Sequence, residues 1–227
     1  MKYQKVIEGK FVDRPNRFIA HVKIDGELQT VHVKNTGRCR ELLLPDAAVY
    51  LEVADNPKRK TAYDLIAVYK ENFGLINIDS QAPNKVAKEW LATQSFDLIR
   101  PEYKYGNSRI DFYMKKGQQE YLMEVKGCTL ERDGIGYFPD APTERGIKHV
   151  YELCQCRKNG FDAYIIFVVQ MQDVRYFTPN IKTHPAFGEA AGVKIWFLMC
   201  KVEKDGLSVK DWAQRAETAE TRLHSNG

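Results

Sequence analysis

A two-domain α+β fold, a small closed β-barrel followed by an α/β sandwich with a mixed central sheet, is predicted by three features of this 227-residue sequence. Residues 3 to about 80 break into short β-type runs separated by turn residues, with no long helical period. Ile110–Met114 and Glu120–Val125 are two runs of β-branched and aromatic residues about a polar turn at Lys116, Gly117 and Gln118. Beyond them, helical periods alternate with apolar runs, as in an α/β sandwich. The boundary falls at 80/81, with domains over 1–80 and 81–227 and a loosely constrained tail from about 205.

In the first domain the strands are read as Lys5–Val12, Arg17–Ile24, Leu28–Val33, Ala48–Val53, Asp64–Tyr69 and Leu75–Ile78. Many short strands in about 80 residues fit an OB-like barrel, an architecture that often binds oligonucleotides. Fold alone does not establish function. Between the third and fourth strands, Lys34-Asn35-Thr36-Gly37-Arg38-Cys39-Arg40 places a glycine turn before Arg38 and Arg40. A guanidinium there can grip phosphate bidentately, or pair with Glu41 or Asp46 at the surface.

Gln81–Gln94 reads as a helix opening the second domain, with Pro83 in its first turn and an apolar stripe at Val86, Ala87, Trp90 and Leu91. Pro101–Gly106 leads into the hairpin as a strand or turn, and there Glu102 is either a further acid or a partner for Lys104 or Arg109. If the hairpin turn is centred between Gly117 and Gln118, Asp111 lies opposite Glu124 and Phe112 opposite Met123. Alternation then puts Ile110, Phe112, Met114, Tyr121, Met123 and Val125 on a core face. The other face carries Asp111, Tyr113, Leu122, Glu124 and Lys126.

That second face carries chemistry. Like charges directly across a ladder repel. A divalent cation turns the repulsion into a binding site, and Mg²⁺ takes carboxylate oxygens while keeping several waters. Lys126 points to the same side and could hold or help deprotonate an attacking water, which completes the parts needed to cleave a phosphodiester. An exposed strand face, with Asp111 or Glu124 paired to Lys126 or Arg109, fits the hairpin equally well. Asp111, twelve residues, then Glu124-Val125-Lys126 resembles the core of the PD-(D/E)xK nuclease superfamily; the tripeptide alone is weak, since Glu8-Gly9-Lys10 also fits it.

Ile147–Arg157 reads as a helix, with Asp140 as its cap and Pro142 in its first turn. Arg145, His149 and Glu152 fall within a wedge of about 60°, and Ile147, Val150, Tyr151 and Cys154 on the side expected to be buried. The wedge is either a phosphate clamp or a solvated face. Asp162–Val169 is continuously apolar, as a doubly buried strand is. A helix over His184–Gly192, a strand over Val193–Val202 and a polar helix from Leu207 complete the reading.

Composition narrows the options. The chain is 44% hydrophobic and 28% charged, ordinary for a globular protein, with a net charge of +4. Residues 1–80 carry 13 basic and 11 acidic residues and the remainder 21 and 19, so any basic surface arises by segregation in space. Five cysteines, an odd count without paired spacing, argue against a disulfide framework, and Cys154-Gln155-Cys156 lacks the usual zinc spacing. The start has no signal core, and the longest apolar run, Ala163–Val169, is too short to span a bilayer. A reduced, cytoplasmic protein is expected.

Several blocks occur in order: Asn35-Thr36-Gly37-Arg38, Tyr105–Phe112, Glu124–Gly127 and Phe138–His149. Over residues 3–205 the chain closely resembles the sugar fermentation stimulation protein A family. It departs from that pattern at Cys39, where methionine is usual, and at Asp46, where glycine is usual. The resemblance implies an OB domain, a restriction-endonuclease-like domain, DNA binding without sequence preference, and a regulatory link to maltose metabolism. The expected activity is a Mg²⁺- or Mn²⁺-dependent nuclease acting on nucleic acid, DNA foremost. Asp111, Glu124 and the Val125 carbonyl would bind metal, Lys126 would activate water, and Glu102 would join the acids. Arg38, Arg109, Arg145 and His149 would contact the nucleic acid. A non-catalytic DNA-binding regulator on the same scaffold is the alternative. For a sugar-binding regulator the sequence offers no aromatic-lined pocket pattern.

Overall fold

The computed structural model describes residues 1–35, 37–106, 108–140, 144–180, 193–214 and 221–222. The first domain consists of β1 (Val6–Asp13), β2 (Ile19–Ile24), β3 (Glu27–Val33), β4 (Ala48–Val53), β5 (Tyr63–Lys70) and β6 (Gly74–Asn77). Antiparallel pairing links β3 to β2, β2 to β1, β1 to β4 and β4 to β5, and a parallel β3–β5 contact closes the five strands into a barrel. Fully buried Val22, Val31, Val49, Leu51 and Leu65 fill it, supplied by the inward positions of alternating strands. This is the OB-type barrel that the turn spacing predicts.

The second domain has α1 (Ala82–Ala92), β7 (Leu98–Tyr105), β8 (Ser108–Lys116), β9 (Gln119–Cys128), β10 (Leu130–Arg132) and β11 (Ile135–Phe138). It continues with α2 (Glu144–Lys158), β12 (Asp162–Val169), β13 (Tyr176–Pro179), β14 (Lys194–Glu203), β15 (Gly206–Gln214) and β16 (Thr221–Arg222). The central sheet runs β15-β14-β12-β9-β8-β7 and is mixed, because β12 lies parallel to both β9 and β14. Alternate β12 residues feed two cores. Tyr164, Ile166 and Val168 pack with Val86, Trp90 and Leu91 of α1, while Ile165 and Phe167 share a cluster with Leu153 and Cys156 of α2. One helix therefore covers each face.

The structure departs from the sequence reading in several places. Of the helix expected from Leu207, the residues up to Gln214 form strand β15 instead. Leu207 and Val209 alternate with polar residues and pair with β14, and this non-local pairing overrides the polar composition. The face of α2 that turns inward carries buried Leu153 and Cys156 with half-buried His149 and Glu152, whereas Tyr151 is 62% exposed. The polar pair goes inside because each finds a partner on the sheet: Ser108 donates to Glu152 at 2.5 Å, and His149 contacts Glu124. Ile110 packs in the α2-side cluster, not with Phe112. A four-stranded sheet, β10-β11-β13-β16, adds to the sandwich. The helix expected over His184–Gly192 and the first-turn residue Pro142 lie outside the described residues.

Two seams tie barrel to sandwich. At one, the Asn77 backbone N–H donates to the Gln170 carbonyl at 3.0 Å, and the buried Gln170 amide donates to the Asn77 and Asp79 carbonyls and to Asn77 Oδ1 within 3.1 Å. At the other, residues 1–3 run along the β14–β15 turn, with Tyr3 N donating to Asp205 O and Leu207 N to Met1 O.

Candidate active site

The β8–β9 hairpin pairs in the expected register, Phe112 with Met123 through Lys116 with Gln119. The recorded pairing ends at Phe112. One step further lie Asp111 and Glu124, where each strand continues with a different neighbour: β8 with β7 and β9 with β12. The fork holds an open cleft of about 460 Å³ lined by Asp111, Glu124, Val125, Lys126, His149 and Glu102, with Ser80, Gln81 and Asn84 contributed by the start of α1.

Both Asp111 oxygens are held: Oδ2 accepts from the Val125 backbone N–H at 2.8 Å and Oδ1 from the Asn84 amide at 2.8 Å. Burial and the nearby Glu124 charge push its pKa up, against the pull of these donors and Lys126. Glu124 differs. Burial pushes its pKa up too, but His149 and Lys126 outweigh it and hold the carboxyl below the usual range. Its Oε1 accepts from Lys126 Nζ at 2.7 Å and contacts His149 Nδ1. Its Oε2 is buried and has no partner among the described residues.

Of the residues predicted for the site, Glu102, Asp111, Glu124, Val125, Lys126 and His149 line this one cleft. Glu102 sits in β7 at a positive φ of 54°, directly beside Pro101, whose partner is Phe112; it pairs with exposed Arg109 across 3.4 Å. Arg109 is therefore at the rim. Arg38 lies on the barrel, away from the cleft lining, and Arg145 belongs to α2, with its side chain outside the described residues. Asn84 and Arg14 escaped the sequence reading. Asn84 meets Asp111, and Arg14 three of its four carbonyl partners, only after the chain has folded back over more than twenty residues.

The residues present suit a small hard cation. No group of three or more His, Cys, Asp or Glu side chains able to hold a metal occurs among the described residues. Mg²⁺ needs only one or two carboxylates beside carbonyl and water oxygens, and two carboxylates, one with an unpartnered buried oxygen, meet that need.

Comparison with known proteins follows the same division. Residues 12–78 match the family model of the SfsA N-terminal OB domain, and residues 81–206 that of the sugar fermentation stimulation protein RE domain. A sugar fermentation stimulation protein homolog from Desulfitobacterium hafniense (strain DSM 10664 / DCB-2) is 54% identical over 221 residues, 93% of this chain and 96% of that protein. The chain belongs to the sugar fermentation stimulation protein family. A second family homolog, from Clostridium beijerinckii, is 50% identical over 222 residues, 93% of this chain and 98% of its own length. Among solved structures, that of Pyrococcus furiosus SfsA in complex with Ca²⁺ superposes with a TM-score of 0.80 at 26% identity, over 99% of this chain and 98% of that one. No helix among the described residues is long and apolar enough to cross a membrane.

Proposed function

We propose that this family member is a divalent-metal-dependent nuclease that hydrolyses phosphodiester bonds of nucleic acid, DNA foremost. The observation that carries the reading is the fork at Asp111 and Glu124, where two carboxylates that would repel are held in one open cleft beside a lysine. The Ca²⁺ complex of the Pyrococcus furiosus relative supports a hard-cation site in this fold.

Asp111, Glu124 and the Val125 carbonyl would hold Mg²⁺ or Mn²⁺. The ion supplies positive charge against the phosphate oxygens and makes a nearby water more acidic. Asn84 and the Val125 N–H keep Asp111 oriented. Lys126 Nζ, kept in the cleft by Glu124, orients the attacking water and takes part in its deprotonation. His149 stabilises the ionised form of Glu124 and faces the phosphate from α2. Glu102 and Arg109 stand at the mouth, and Arg145, at the start of α2, would add a phosphate contact. The protein acts in the cytoplasm, and the family name supports a link to sugar metabolism.

Asp111→Asn tests the assignment. It is expected to remove Mg²⁺-dependent cleavage of labelled DNA while leaving gel-shift binding equal or tighter, since one negative charge facing phosphate is gone. Undiminished cleavage by the purified variant refutes the site. One observation favours a second reading, a non-catalytic DNA-binding regulator: Glu124 already pairs with Lys126 and His149, as in a structural ion cluster. Calorimetric titration with Mg²⁺ and Mn²⁺ separates the two, because only the nuclease requires the cleft to take up an ion.

A further inference from the structure

The barrel carries a second concavity, of about 500 Å³, at the ends of β1 and the loops that follow β1 and β3. Arg14, Arg17, Arg38 and Arg40 line it, with Asp13 and Asn16. Its single acid is engaged elsewhere, since Asp13 Oδ1 lies 2.7 Å from His21 Nδ1.

The four arginines divide into two roles. Arg14 is committed to backbone. Its Nη1 donates to the carbonyls of Gly37 and Arg38 at 2.7 and 2.9 Å, and its Nη2 to those of Arg17 and Asn35 at 2.7 and 2.5 Å. It thereby fixes the two loops that present the others. The exposed side chains of Arg17, Arg38 and Arg40 make no hydrogen bond or ion pair among the described residues. Arg17 lies over the Phe18 ring at 5.6 Å; no carboxylate among the described residues pairs with any of the three, and an anion with several oxygens can take forked hydrogen bonds from them.

The hollow adjoins the acidic cleft. The Lys34 carbonyl accepts from Ser80 Oγ at 2.6 Å, and Ser80 lines the acidic cleft. Gly37, whose carbonyl Arg14 holds, lies against Asp140; a Cβ at Gly37 would come 3.0 Å from Asp140 Oδ2 and 2.9 Å from Asn35 Oδ1. One short loop thus separates the two clefts, with arginines on one side and carboxylates on the other.

We infer that the arginine cleft is a second phosphate-binding site, and that it takes the backbone of a nucleic-acid strand running across this loop from the acidic cleft. The inference rests on the proposed nuclease function only for the identity of the strand. It makes substrate length matter: a chain long enough to cross the loop gains contacts that a short one lacks.

The test is fluorescence anisotropy of labelled single-stranded oligonucleotides of graded length, in EDTA, with wild type and the triple variant Arg17→Ala, Arg38→Ala, Arg40→Ala. Arg14 stays, so the loops keep their support, and an unchanged Tm verifies the fold. The variant is expected to bind the longest strand at least about tenfold more weakly and to lower the slope of log K against log salt by about 2, with little effect on the shortest strand. Unchanged affinity and salt slope overturn the inference. So does saturable binding of inorganic phosphate or AMP that is lost in the variant while strand binding stays the same, because that assigns the cleft to a free phosphate. EDTA makes the outcome independent of cleavage, so this inference and the nuclease reading stand or fall separately.

Discussion

Asp64 is 2% exposed and ringed by polar partners: Arg59 at 2.5 and 2.9 Å, His32 Nδ1 at 2.9 Å and Lys34 Nζ at 3.1 Å. Burial pushes its pKa up, but the hydrogen bonds from Arg59, His32 and Lys34 outweigh this and hold the carboxyl well below the usual range. A carboxyl depressed on folding stabilises above its ordinary pKa of 3.8, and that stabilisation is lost as pH falls through the folded value. Asp64→Asn is expected to cost about 2–3 kcal/mol at neutral pH in urea unfolding, the difference shrinking steadily as the medium is acidified below about pH 4. A pH-independent difference contradicts the assignment. At the cleft, Asn84 holds Asp111 in place, so Asn84→Ala should weaken Mg²⁺ binding by about 10–100-fold in calorimetry while the fold persists. Asp111, Glu124 and Lys126 were legible in the sequence because strand alternation and one hairpin register are enough to bring them together. Asn84 and Arg14 were not, since Asp111 and three of Arg14's four carbonyl partners are brought to them by tertiary folding.

At the scale of elements, β9 carries the site and its end is closely packed. A Cβ on Gly127 would stand 2.3 Å from Gln170 Oε1 and 2.7 Å from Pro83 Cγ. Gln170 cannot swing away without breaking its bonds to Asn77 and Asp79. Gly127→Ala is therefore expected to destabilise by about 1–3 kcal/mol, read from the denaturant midpoint. A neutral result would mean that this seam yields easily. The hairpin register was readable from its turn, yet the fork beyond Phe112 was not, because it arises from pairing with β7 and β12. The same limit explains α2. Amphipathicity assigns polar residues to solvent, while His149 and Glu152 are drawn inward by partners on distant strands. In β15 the alternation of Leu207 and Val209 was present, but a polar composition masked it.

For the molecule as a whole, the buried Asn77–Asp79–Gln170 network and the contact of residues 1–3 with the β14–β15 turn join barrel and sandwich. Single cooperative unfolding is expected, with near-UV and far-UV signals coinciding in a denaturant titration. Gln170→Ala, by removing the amide that bridges the Asn77 and Asp79 carbonyls, should pull the two signals apart; coincident curves in that variant would deny the seam this role. Barrel and sandwich were both foreseeable from element spacing. The juxtaposition of their clefts depends on the seam, which no local pattern encodes. That juxtaposition gives the acidic fork its setting, and the fork is the centre of the functional account. The most direct test is cleavage of end-labelled single- and double-stranded DNA and RNA by wild type and Lys126→Ala, with Mg²⁺, Mn²⁺ or EDTA. Products that require metal and disappear in Lys126→Ala are the predicted result. No products with any metal, while both proteins still shift DNA in gels, would contradict the nuclease and leave a DNA-binding regulator in its place.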